Sequence, residues 1–68
     1  MFRIESEDWA KHSLIVEITG NPFGEIAFNS LLNGFTYYQI VERVNEEQLE
    51  FAFTQLQSLN KRYQNGTL

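Results

Sequence analysis

Cysteine is absent from this 68-residue chain, which excludes disulfides and thiolate metal sites and suits a reducing compartment. Cations are scarce. Arg3, Lys11, Arg43, Lys61 and Arg62 stand against nine Asp and Glu, for a net charge of −4 and a pI of about 4.7. A duplex binder displaces counterions from phosphates with a cluster of cations. No such cluster exists here, so no direct nucleic-acid binding is expected, and anionic membrane surfaces are disfavoured on the same ground. No run approaches about 18 consecutive apolar residues, so no membrane span is expected. The stretch MFRIESEDW turns acidic within a few residues and lacks the apolar run of a signal peptide. With Met1 at its head, the chain reads as a whole gene product of the cytoplasm.

Groups that carry chemistry are equally sparse. His12 is the single histidine. Glu7 and Asp8 lie near it, but at no metal-ligand spacing, and a solvated loop histidine is the simpler reading. Glu46, Glu47 and Glu50 are explained by their place at a helix N-terminus without a metal or general-acid role. Gly20, Gly24 and Gly34 lack the G-x-x-x-x-G-K spacing of a phosphate loop and read as turn residues. Ser6, Ser13, Ser30 and Ser58 have no histidine or lysine motif to activate them. The expectation is a non-enzymatic protein with no catalytic residue, no cofactor and no metal.

What the chain does have is aromatics: six Phe, three Tyr and one Trp, which argue for an ordered core. Residues 1–68 are expected to form one compact domain. Below about 70–80 residues a single core supplies only a few kcal/mol, so an efficient core or self-association must make up the rest. Residues 1–5 alternate, with Phe2 and Ile4 on one side. Residues 13–19 alternate as well, with Leu14, Val16 and Ile18 opposite Ile15, Glu17 and Thr19. Gly20-Asn21-Pro22-Phe23-Gly24 is a turn cluster. Residues 25–32 read either as a strand or as a short helix capped by Asn21 and Pro22. The strand is preferred, because Asn33-Gly34 signals a type I′ hairpin and because Ile18 would then pair with Ile26 and Val16 with Phe28. Residues 35–43 are a further strand. Residues 46–63 form an amphipathic helix with Asn45 as N-cap and Gln48 completing a capping box. Its expected buried stripe is Leu49, Ala52, Phe53, Leu56, Leu59 and Tyr63.

These elements predict an α+β fold, a three- to four-stranded antiparallel meander packed against one C-terminal helix. The covered face would hold Phe2, Ile4, Leu14, Val16, Ile18, Ile26, Phe28, Leu32, Phe35, Tyr37 and Val41, with Trp9 and Phe23 plugging the ends. On the opposite face Ile15, Ala27, Leu31, Tyr38 and Ile40 would form an apolar patch rimmed by charge, which points to an interface. Phe51 lies roughly 200° from Leu49 on the helix and so stands on its polar face. Two readings of it stay open: a contact for a partner, or a ring packed locally on a rotated helix. The functional expectation is a protein–protein interaction domain, a candidate homodimer, that self-associates through the open sheet face. The alternative is an acidic inhibitor or immunity-type protein that covers a basic surface on a toxin, nuclease or nucleic-acid-binding complex. There Glu42, Glu46, Glu47 and Glu50 would steer the encounter and Phe51 would anchor it.

Overall fold

Period-two alternation in the first half of the chain and a 3.6-residue repeat in the last third resolve into four strands and a helix: β1 (Phe2–Asp8), β2 (His12–Glu17), β3 (Pro22–Asn29), β4 (Gly34–Gln39) and α1 (Glu46–Gln64). The computed structural model describes residues 2–8, 12–17 and 20–66, and the side chains of all of these except 5–8 and 12. The strands form one open antiparallel sheet in the order β1-β2-β3-β4, with α1 packed on it chiefly through β4. The expected α+β meander is therefore the fold. The open choice at residues 25–32 resolves as strand through Asn29. Trp9, Ile18 and Thr19 lie outside the described residues, and with them the plugging role expected of Trp9 and the pairing expected of Ile18.

The register of β2 against β3 differs from the expected one. Ser13 pairs with Ile26, Leu14 with Glu25 and Ile15 with Gly24, and then the ladder slips so that Val16 meets Pro22. Phe23 is the extra residue of this bulge. The turn is tighter than the glycine cluster implies: the Gly20 N–H donates to the Glu17 carbonyl at 2.9 Å, and the Glu17 N–H donates to the Asn21 carbonyl at 3.2 Å. Gly20 has φ 86°, the left-handed conformation that ends a short hairpin loop at little steric cost. A slip by an odd number of residues reverses every side chain of a strand. Ile15 accordingly lies in the core beneath the helix, fully buried, and not on the open face. The bulge turns Phe23 the same way, because the two residues opposite one on a bulged strand no longer alternate cleanly.

The core is Ile15, Phe23, Ile26, Phe35, Ala52 and Leu59, with Phe2, Ile4, Phe28, Tyr37, Val44, Phe51, Leu56 and Tyr63 packed against it. Val16 is buried but stands outside this cluster. Ring pairs knit this core: Phe2 with Phe23 at 5.8 Å and Phe28 with Phe35 at 5.5 Å within the sheet, and Phe28 with Tyr63 at 5.2 Å between sheet and helix. These edge-on contacts add to the burial of each ring. Leu32 and Val41, expected in the core, are exposed. Leu32 belongs to the β3–β4 turn, and Val41 lies beyond the end of β4.

The capping box of α1 forms as expected. The Asn45 N–H donates to Gln48 Oε1 at 2.7 Å, and the Gln48 N–H donates to Asn45 Oδ1 at 2.8 Å. Gln48 Nε2 also donates to Glu17 Oε1 on β2. This polar tie fixes the roll of the helix. Gln48, Ala52 and Leu59 are its buried line, whereas Phe53 of the expected stripe is exposed and Leu49 only half-buried. The same roll moves Phe51 off the polar face and onto Phe2, ring to ring at 5.4 Å.

Candidate interaction surface

Of the residues singled out in the sequence, Tyr38, Ile40 and Glu42 stand together at and just beyond the end of β4. Tyr38 is 47 % exposed and Ile40 52 %. Val41 adds to them, and Phe53 lies on the helix side with its ring 5.8 Å from that of Tyr37. Leu31 is 94 % exposed at the β3–β4 turn, the other end of the hairpin. Asn29 connects the two ends. Its Oδ1 accepts from the Leu31 N–H at 2.9 Å and the Leu32 N–H at 3.2 Å, and its Nδ2 donates to Tyr38 Oη at 3.5 Å. The turn is thus a four-residue loop from Ser30 to Asn33, pairing Asn29 with Gly34. Within it Asn33 takes φ 55°, in place of the two-residue Asn-Gly turn expected there. Glu47 and Glu50 are exposed on the first turns of α1, apart from the Tyr38 group. Ile15 and Phe51, drawn into the core and its margin, leave the candidate surface.

The two adjacent tyrosines of β4 are in opposite environments because a strand alternates. Tyr37 points under α1, where burial pushes its phenol above the usual value, and its hydroxyl has no hydrogen-bond partner. Tyr38 points to the open face. There the Thr36 hydroxyl and the Asn29 amide beside it hold its phenol below the usual value.

The edge of β4 is a feature that composition alone does not reveal. Residues of an antiparallel edge strand alternately turn their backbone groups inward to the neighbouring strand and outward. The Ile40 N–H donates inward to the Phe23 carbonyl at 3.0 Å. The Phe35 N–H and carbonyl turn outward and are both taken by the side-chain amide of Asn60: Phe35 N–H to Asn60 Oδ1 at 2.6 Å, and Asn60 Nδ2 to the Phe35 carbonyl at 3.1 Å. By the same alternation Tyr37 and Gln39 turn their N–H and C=O groups outward. Among the described residues, no helix side chain hydrogen-bonds to them as Asn60 does to Phe35. The helix starts over β1 and β2, where Gln48 meets Glu17 and Phe51 meets Phe2, passes Tyr37 of β4 at Phe53, and meets the Phe35 backbone at Asn60. An asparagine inside an amphipathic helix is a poor helix former, and that was the signal for the clamp.

A cleft of about 250 Å³ opens between the β2–β3 turn and the start of α1, lined in part by Glu17, Phe23, Arg43 and Gln48. Its polar floor is occupied, since the Gln48 amide is committed to the cap and to Glu17. Among the described residues no group of three or more His, Asp or Glu is placed to hold a metal, and no helix is long and apolar enough to cross a membrane. Comparison with protein-family models, with curated proteins and with solved structures finds no match to this chain.

Proposed function

We propose that this protein is a small, non-enzymatic protein–protein interaction domain whose contact surface is the end of β4 and its continuation, Tyr38, Ile40 and Val41. The observation that carries the reading is the conjunction of these exposed apolar side chains with the uncovered edge of the same strand. Side chains and backbone there offer area and directional hydrogen bonds side by side, as strand-adding recognition sites do. The acidic composition and lack of cation clusters favour a protein over a nucleic acid or a membrane as the partner.

The alternative, an acidic inhibitor, draws support from Glu42, Glu46, Glu47 and Glu50, all exposed. It loses its expected anchor, because Phe51 packs against Phe2. The test compares wild type with Ile40→Glu, measuring solution mass over a range of concentrations and the proteins retained by each immobilised form. The reading requires that at least one of these change in a variant that remains folded by circular dichroism. If neither mass nor retained protein depends on Ile40, the reading is wrong. Retention that falls steeply with salt and depends on Glu46 and Glu47 but not on Ile40 would favour the inhibitor.

A further inference from the structure

Resting on that reading, we infer that the partner of the β4 edge is a second copy of this chain, joined antiparallel through Tyr37–Gln39 about a twofold axis at Tyr38. Two observations carry this.

The first is a contrast between the two edges of the sheet. β1, with the sequence FRIESED, carries Arg3, Glu5, Glu7 and Asp8, the charged residues by which natural edge strands repel an approaching strand. β4, with the sequence GFTYYQ, carries no charge, and Ile40 and Val41 continue it uncharged. In a chain of net charge −4 this segment is one that can meet its own copy without electrostatic cost. The protected β1 edge disfavours head-to-tail β4-to-β1 addition, which would run on as an open filament. A closed pair is left.

The second is geometric. Asn60 occupies the outward groups of Phe35, so pairing is confined to the uncovered groups at Tyr37 and Gln39. With Tyr38 opposite Tyr38 of the second copy, Tyr37 of each chain exchanges both backbone hydrogen bonds with Gln39 of the other. The two Tyr38 side chains then form a non-hydrogen-bonded pair, the closer kind of cross-strand contact. Val41 of one copy arrives at the Asn60 clamp of the other, where the ladder ends. Phe53, beside Tyr37 on the helix side, gains cover from the incoming strand.

The experiment is native mass spectrometry and light-scattering mass on the full chain, comparing wild type, Gln39→Pro, Gln39→Ala, Tyr38→Glu and Tyr38→Lys. Proline at 39 removes an outward N–H and leaves the inward ladder intact, a substitution edge strands tolerate. It is expected to weaken dimerisation roughly tenfold or more, with Gln39→Ala close to wild type. Tyr38→Glu and Tyr38→Lys are each expected to be monomeric, because like charges face each other on the axis, and to form a one-to-one heterodimer when mixed. A wild-type dimer indifferent to Gln39→Pro, or no heterodimer on mixing, overturns the β4 pairing. So does a wild-type monomer at every concentration. If retention of another protein still depends on Ile40 in that case, the interaction reading stands and only its occupant changes.

Discussion

Gly24 sits under the ring of Tyr37 so closely that a Cβ there would overlap the ring. The pair explains two oddities of β3 and β4 at once. A buried glycine in a strand gives up conformational entropy and packing, and a tyrosine beneath a helix with no partner for its hydroxyl gives up a hydrogen bond. Together they let the hydroxyl end of the ring pass over the Gly24 backbone while the ring contacts Phe53. Gly24→Ala should therefore destabilise the protein, by about 1–3 kcal/mol of overpacking against a backbone gain of roughly 0.5–1 kcal/mol. Urea denaturation in two backgrounds checks this. With Tyr37→Ala in place, Ala at 24 should become neutral or stabilising. An unchanged cost would mean that the ring is not what excludes the methyl. Nothing in the sequence singles out this pair, because Gly24 belongs to a turn-like cluster and only the register with Gln39 and its neighbours brings Tyr37 over it.

At the scale of elements, α1 was legible in its limits and not in its roll. Asn45 and Gln48 announce the start by residue type and spacing alone, and the box forms. Which side faces inward is another matter. Periodicity puts Phe53 in the apolar stripe and Phe51 among polar residues, yet the helix is rolled toward Gln48, whose side chain bonds to β2, a tertiary contact no periodicity encodes. Asn60 is the second such polar contact. It replaces a neighbouring strand at Phe35 and so both fastens the helix to the sheet and blocks that part of the edge. Asn60→Ala leaves two backbone groups without their partner, at a cost of about 1–3 kcal/mol, of which the better helix propensity of alanine returns about 0.5 kcal/mol. The melting temperature should fall by several degrees. The same change lengthens the uncovered edge by one residue pair. Association should rise as stability falls, a combination that simple loss of packing does not produce. Calorimetry and solution mass on the same samples separate the two effects.

On the scale of the whole molecule, the sheet's strand order and the helix on top were readable because alternation, turn residues and caps each report locally. The open face was not, since β2 pairs with β3 at an odd offset from the expected register, which turns Ile15 into the core. Register leaves little trace in composition, so Ile15 is lost from the expected patch while Tyr38, on a strand with regular register, and Ile40, just beyond it, remain exposed. What survives is a molecule with one helix on one face of four strands and, among the described residues, six buried apolar residues in the cluster between them. A core of that size gives marginal stability in a chain this short, and edge pairing through β4 would couple folding to concentration. Each tenfold rise in protein concentration stabilises a folded dimer by mass action, which for a domain of this size amounts to roughly 3–5 °C in melting temperature. Wild type should show that slope and Tyr38→Glu should melt at one temperature throughout. Equal slopes in both would place the association elsewhere on the molecule. Two flat lines would mean that the monomer's core alone sustains the fold, and the aromatic end of β4 would then be available to a different protein.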